Sequence, residues 1–127
     1  MQQLEKSLYD ENNVFAKIIR KELACEYVYE DENNIAFKDI APVAPLHILI
    51  IPKGKYIDYD DFIYRASAQE VLSFFQAVRK IGKSAERGYR IVSNCGRDAN
   101  QLVLHFHVHL LAGDNLGGLI PADKLQR

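Results

Sequence analysis

The stretch Leu104-His105-Phe106-His107-Val108-His109-Leu110-Leu111 decides how this chain folds. Histidines and apolar residues alternate through it, which predicts a strand with the histidines on one face and the apolar side chains on the other. We expect this last strand to span residues 102–111 and to place Leu104 on the core face. Three of the chain's four histidines lie here. Packing alone is a poor explanation for them, because each buried imidazole needs hydrogen-bond partners.

Outward from this strand, the pattern predicts an α+β fold with a five-stranded antiparallel sheet and two helices. The other strands are expected at 26–30, 35–39, 46–51 and 89–93, with a short amphipathic helix over 14–23. Several strands in direct succession predict a meander. The length of 127 residues indicates a single domain, with a polar extension at 1–13 and a tail at 114–127.

A second, longer helix is predicted by a capping box. Ser67 and Glu70 have the spacing at which each side chain binds the other residue's backbone N–H at a helix start. The helix is expected to continue to about Glu86. Its buried face is predicted to carry Val71, Phe74, Phe75, Val78, Ile81 and Ala85.

Composition excludes several classes of function. Sixteen Lys and Arg against seventeen Asp and Glu give a net charge of -1, so the chain lacks the basic surface typical of a nucleic-acid-binding protein. Its apolar runs are too short to span a membrane, and its N-terminus has no apolar signal segment. The two cysteines form no CxxC pair, so reduced thiols are expected. We expect a soluble cytoplasmic protein with neither a nucleic-acid nor a membrane partner.

The residues alone leave three chemistries open. His-x-His on a strand can begin a metal site, for which Asp98 or Asp114 would supply a carboxylate. A loop cysteine, Cys95, offers a thiol nucleophile. The third possibility is phosphoryl chemistry, in which a neutral imidazole attacks phosphorus while its neighbours donate to phosphate oxygens. The amides of Asn94 and Gln101 favour phosphate over metal, and His47 could reach the same pocket.

Two parts of the chain resemble the histidine-triad nucleotide-binding proteins. Residues 105–111 match the family's His-φ-His-φ-His-φ-φ signature, where φ is an apolar residue. Residues 37–53, FKDIAPVAPLHILIIPK, are similar to its central block, and residues 14–19 to its opening helix. The likeness covers roughly residues 14–113. It implies a homodimer whose two sheets join into one.

The resemblance also implies a role for each matching residue. His107 takes the place of the nucleophile that forms a transient phospho-histidine, and His105 that of the residue orienting it. His109 corresponds to the histidine that contacts phosphate and assists the leaving group, and His47 to a supporting histidine. Asp39 matches the carboxylate that binds ribose. Asn94 and Gln101 match the phosphate-pocket amides, while the base pocket would be lined by Phe15, Ile18 and Leu23.

The implied activity is hydrolysis or transfer at the α-phosphate of a purine nucleotide, without a metal or other cofactor. The substrate would be a nucleoside phosphoramidate, an aminoacyl adenylate or a dinucleoside polyphosphate. An alternative is a nucleotide-binding regulatory module with vestigial turnover. Leu102 stands where the phosphoramidase branch carries Ser or Thr, so the leaving-group preference is left open. Asn13 and Ala16 stand where some members carry a zinc-binding Cys-x-x-Cys, so that zinc site should be absent.

Overall fold

The structure, a computed structural model, describes residues 8–119. The predicted extension and tail therefore reach beyond the described residues, at 1–7 and 120–127. The helices are α1 (Val14–Ile19), α2 (Tyr59–Arg65) and α3 (Ala68–Gly82), and a short 3-10 turn covers Arg97–Ala99. The strands are β1 (Tyr27–Glu30), β2 (Asn34–Lys38), β3 (Leu46–Pro52), β4 (Tyr89–Val92) and β5 (Val108–Ala112).

The five strands form one antiparallel sheet in the order β1-β2-β3-β5-β4, which confirms the predicted α+β class. The predicted meander is wrong in one respect, because β5 lies between β3 and β4. The chain leaves β3 through α2 and α3 before it enters β4 at the sheet edge. That crossover leaves the place beside β3 for β5, the strand that begins just after His107.

Both faces of the sheet are covered, which explains the continuous apolar sequence of β3. On one face, α3 packs Phe74, Val78 and Ile81 against the sheet, while Val71, Phe75 and Ala85 are partly buried beside them. The predicted buried face of the long helix is thereby confirmed. On the other face, Phe15 and Ile18 of α1 pack with apolar residues of β2 and β3. The histidines lie on this second face.

Helix boundaries differ from the sequence prediction where backbone turns intervene. The first helix ends at Ile19 rather than at residue 23, because Lys21 adopts a left-handed φ of 64°. The long helix ends at Gly82 rather than at Glu86, and successive turns then lead to Gly88. Its predicted capping box between Ser67 and Glu70 is present.

The seven-residue helix α2 was not predicted. Its apolar periodicity is weak, with Phe62 as its one fully buried apolar side chain. Its start depends on Asp58, whose side chain accepts a hydrogen bond from the Asp61 backbone N–H. None of the helices within residues 8–119 has the length and apolar content needed to cross a bilayer.

The predicted last strand is too long at its start. It begins at Val108, not at residue 102, and Leu104 is 45% exposed instead of facing the core. Phe106, Val108 and Leu110 do lie in the core against α3. The alternation of side chains thus continues through residues that pair with no neighbouring strand.

The capping box generates a stability prediction. Ser67→Ala should lower the free energy of unfolding by about 1 kcal/mol, because the backbone N–H of Glu70 loses its acceptor. Urea denaturation measures the change, and Gln69→Ala in the same turn is the exposed control. Equal stability of the two variants would contradict the assignment of this cap.

Candidate active site

The segment before β5 is held by hydrogen bonds to the last residue of β3 and to the chain that follows it. The backbone N–H of Phe106 donates to the carbonyl of Tyr56 at 2.7 Å. The ring Nε2 of His105 lies 2.8 Å from the carbonyl of Pro52. These contacts replace a strand ladder and fix which way the histidines of this irregular segment point.

The first histidine of the motif is fully buried and exists as one tautomer. A carbonyl can only accept, so Nε2 of His105 carries the proton that binds Pro52. The other ring nitrogen, Nδ1, is then an acceptor, and the hydroxyl of Tyr9 donates to it at 2.5 Å. Burial, reinforced by the neighbouring His107, lowers the pKa of His105 to about 4. The ring is therefore neutral at pH 7 and has no nitrogen left for a ligand.

The second histidine presents a free lone pair. Nδ1 of His107 lies 2.7 Å from the carbonyl of His105, so the proton is on Nδ1 and the lone pair is on Nε2. Within the described residues, no hydrogen bond engages Nε2. Burial lowers the pKa of His107 below its usual value. The ring of Phe15 meets the imidazole of His107 edge-on, at 4.9 Å between centroids, and limits the rotation of that imidazole.

The third histidine, His109, belongs to a chain of three polar side chains with His47 and Asp39. Val43 donates its backbone N–H to Nδ1 of His47 at 3.1 Å, which leaves the His47 proton on Nε2. That nitrogen lies 2.9 Å from Nδ1 of His109 and 3.4 Å from a carboxylate oxygen of Asp39. The proton of His109 is therefore on Nε2, the nitrogen turned away from His47. Burial, together with His107 and His47, lowers the pKa of His109 to about 4.

Strand register explains this chain of contacts. His109 of β5 pairs with Leu49, and His47 of β3 pairs with Leu111, so the two histidines are diagonal neighbours on one face. The Asp39 backbone N–H donates to the carbonyl of His47 and extends the β2–β3 pairing by one residue. The structure thus brings His47 and Asp39, distant in sequence, to the third histidine of the motif.

The same three groups, Asp39, His47 and His109, are close enough to be considered as metal ligands, with ligand atoms within 4.8 Å of one another. The hydrogen bonds oppose that interpretation. A metal on Nε2 of His47 would move the ring proton to Nδ1, where it would face the N–H of Val43. The carboxylates expected for the metal hypothesis, Asp98 and Asp114, are exposed and lie outside this group.

The loop before the motif uses the side-chain amide of Gln101 for hydrogen bonds within the protein and not for a ligand. The side-chain amide of Gln101 donates to the carbonyls of Ile57 and Val103, and its oxygen accepts from the N–H of Gly96. Gln101, expected in the phosphate pocket, therefore holds the loop in this structure. Asn94 and Cys95 are both half-buried, and neither hydrogen-bonds a histidine within the described residues.

The expected base-pocket residues separate into two groups. Phe15 and Ile18 are buried in the apolar cluster next to the histidines. Leu23 is 39% exposed and lies outside that cluster, because α1 ends four residues earlier. Leu102 is also exposed.

Two polar residues of the site were not predicted from the sequence. Tyr9 binds His105, and the Ser93 hydroxyl donates to the carbonyl of His107 at 2.8 Å. Tyr9 lies in a polar segment without periodicity, and Ser93 follows a strand whose register with β5 could not be read. The sequence carries no local signal for either contact.

Comparison with known proteins assigns the family. A model of the HIT domain matches residues 20–116. The chain belongs to the HIT domain family. An uncharacterized 13.2 kDa HIT-like protein of Azospirillum brasilense is 54% identical over 88% of this chain and 94% of its own length. Purine nucleoside phosphoramidase of Escherichia coli is 39% identical over 91% of this chain and 98% of its own. A HIT family hydrolase from Clostridium thermocellum superposes with a TM-score of 0.80 at 45% identity, over 87% and 98% of the two chains.

The hydrogen bonds of this HIT site predict one tautomer for each histidine. The proton should be on Nδ1 of His107 and on Nε2 of His47, His105 and His109. Imidazole 15N spectra of the histidine-labelled protein at pH 7 report the protonated nitrogen directly. Because burial lowers their pKa values to about 4, His105 and His109 should also remain neutral at pH 6.5. A proton on Nε2 of His107, or a charged His105 or His109 at that pH, would contradict the assigned geometry.

Proposed function

We propose that this protein hydrolyses a purine nucleotide at its α-phosphate, with a nucleoside phosphoramidate or an aminoacyl adenylate as substrate. A phospho-histidine on His107 is the intermediate, and the reaction takes place without a metal. The observation that supports it best is the fixed tautomer of His107, whose Nδ1–H is bound by the His105 carbonyl and whose Nε2 lone pair is engaged by no hydrogen bond from residues 8–119. Attack on phosphorus requires such a lone pair.

The two neighbouring histidines support different parts of this chemistry. His105 has both ring nitrogens occupied, so it acts through its carbonyl and not by binding phosphate. His109 has Nε2–H directed away from His47, and its ring centroid is 5.2 Å from that of His107. An N–H at that distance from the nucleophile is suited to the leaving group or a phosphate oxygen.

The proposed reaction has two displacements. Nε2 of His107 forms a bond to the α-phosphorus while the bond to the leaving group breaks. The leaving group departs with the electron pair and takes a proton from Nε2 of His109. A water molecule then attacks the phosphorus as the bond from phosphorus to Nε2 of His107 breaks, and the electron pair of that bond returns to Nε2. The hydroxyl of the water stays on phosphorus, and its other proton returns to Nε2 of His109. The products are a nucleoside monophosphate and the free amine or carboxylic acid.

The nucleotide would lie along the same face of the sheet. One carboxylate oxygen of Asp39 accepts the N–H of Ala41 at 2.8 Å, which fixes the group proposed to bind ribose hydroxyls. The half-buried amide of Asn94 is proposed to bind phosphate. The apolar cluster containing Phe15 and Ile18 is proposed to face the base. Two relatives support hydrolysis as the reaction, since one is named a purine nucleoside phosphoramidase, from E. coli, and the other a HIT family hydrolase, from C. thermocellum.

The nucleophile is tested by His107→Asn, which keeps the size of the side chain and removes the lone pair. Turnover of a fluorogenic adenosine phosphoramidate should fall by at least about three orders of magnitude. Binding of adenosine monophosphate, measured calorimetrically in excess chelator, should persist. Near-normal turnover by this variant would reject the mechanism, and wild-type binding without turnover would favour a regulatory nucleotide-binding module.

His109→Ala separates the role of the acid from that of the nucleophile. Its activity should be lost chiefly with an alkylamine leaving group and retained better with a nitrophenolate, which departs without a proton. An equal loss of activity on both substrates would contradict the role assigned to His109. Loss of all activity on addition of chelator to the wild type would support a metal site instead.

We further propose a homodimer joined at the β4 edge. The family resemblance implies joined sheets, and β4 is the last strand of the sheet order, with Tyr89 and Ile91 exposed. Light scattering at micromolar concentration should give about twice the chain mass of 14.5 kDa. Ile91→Lys should shift the protein towards monomer, because a charge at an edge strand opposes pairing. Val28→Lys on β1, the opposite edge, is the control, and a monomeric wild type would disprove the proposal.

A further inference from the structure

The first histidine of the motif depends on a residue outside the family match. The HIT domain model begins at residue 20, and Tyr9 lies eleven residues earlier. Its hydroxyl is 2.5 Å from Nδ1 of His105, and its ring meets that imidazole edge-on at 5.5 Å between centroids. Within residues 8–119, Tyr9 is the one side chain hydrogen-bonded to the ring of His105.

The segment that carries Tyr9 is fixed from several directions. Arg20 donates to the carbonyl of Glu11 at 2.8 Å, and Lys55 pairs with the Glu11 carboxylate at 2.6 Å. Asn13 binds the carbonyl of Asp10 through its amide nitrogen and caps α1 through its oxygen. Tyr9 therefore has a defined position relative to α1 and to the chain that follows β3.

The geometry points to Tyr9 as a positioning residue for the nucleophile His107, acting through His105. The Tyr9 O–H donates to Nδ1 of His105, which holds the ring proton on Nε2 and keeps that nitrogen bound to Pro52. With the ring fixed at both nitrogens, the carbonyl of His105 stays where it accepts Nδ1–H of His107. This inference rests on the proposed function, since positioning matters only if His107 attacks.

Two properties of the hydroxyl fit this role. Burial raises the pKa of Tyr9 above its usual value, so the group remains a donor at neutral pH. The Nδ1 atom of His105 lies in a fully buried ring, so an alternative donor from solvent is excluded there unless the segment moves. Without the hydroxyl, the imidazole loses one of its two anchors, Nδ1 is left without a donor, and the bond to Pro52 alone holds the ring.

The test is Tyr9→Phe, which removes only the hydroxyl. Tyr27→Phe is the matched control, because the Tyr27 hydroxyl also donates near α1, to the carbonyl of Ile18 at 3.0 Å, and forms no hydrogen bond to a histidine among residues 8–119. A displacement of about 1 Å can reduce a rate about 100-fold. Since the bond to Pro52 remains in the variant, we expect kcat on the adenosine phosphoramidate to fall about tenfold. KM should stay within about twofold of the wild-type value, because Tyr9 acts on the nucleophile and not on substrate binding.

A second measurement does not depend on turnover. In 15N spectra of the histidine-labelled proteins, Nδ1 of His105 should move in Tyr9→Phe towards the frequency of an imidazole nitrogen without a donor. The Nδ1 proton of His107 should exchange faster with solvent. Tyr27→Phe should change neither signal. Far-UV circular dichroism of both variants checks that the fold is retained.

The outcomes separate this inference from the proposed function. A Tyr9→Phe protein with wild-type kcat, or with unchanged histidine signals, overturns the inference. A rise in KM with unchanged kcat also overturns it, because Tyr9 would then contact the nucleotide. If the wild type shows no turnover that depends on His107, the proposed function fails. The spectra of His105 and His107 then decide by themselves whether Tyr9 positions the two rings.

Discussion

The buried bond between Nε2 of His105 and the carbonyl of Pro52 joins the two halves of the site. Pro52 ends the central strand β3, and His105 lies three residues before β5 begins. The bond sets the direction of the segment that leads into β5, and it fixes the imidazole whose carbonyl orients His107. Breaking it would leave a buried polar group unpaired on each side, which is far more costly than losing an exposed contact.

Burial is also what gives the histidines their chemistry. In water an imidazole is partly protonated near neutral pH, and a protonated ring has no lone pair with which to attack phosphorus. Here the pKa values of His105, His107 and His109 are all lowered, chiefly by burial. Each neutral ring then needs its single proton on a defined nitrogen, and carbonyls or N–H groups of the backbone decide which one.

Much of the fold could be predicted because its signals are local. The capping box at Ser67 and the apolar face of α3 are readable from side-chain type and spacing alone. The place of β5 beside β3 could not be read, because it depends on where α2 and α3 carry the chain. The ends of the helices were also missed, since they are decided by backbone turns such as the left-handed Lys21. In the site, the motif located the histidines, but their partners Tyr9 and Ser93 lie where the sequence has no pattern.

The alternation that predicted a strand over residues 102–111 correctly placed the histidines on one face, although residues 102–107 are not part of β5. His109 is placed by the ladder with β3, and its diagonal contact with His47 follows from register. His105 and His107 lie in an irregular segment, where the ring of His105 is held by Pro52 and Tyr9 and the ring of His107 by the carbonyl of His105. A ladder resists displacement at every residue, whereas the irregular segment depends on a few contacts made elsewhere in the chain. The geometry of the nucleophile can therefore be altered by substitutions outside the motif, while the contact between His109 and His47 is protected by the sheet itself.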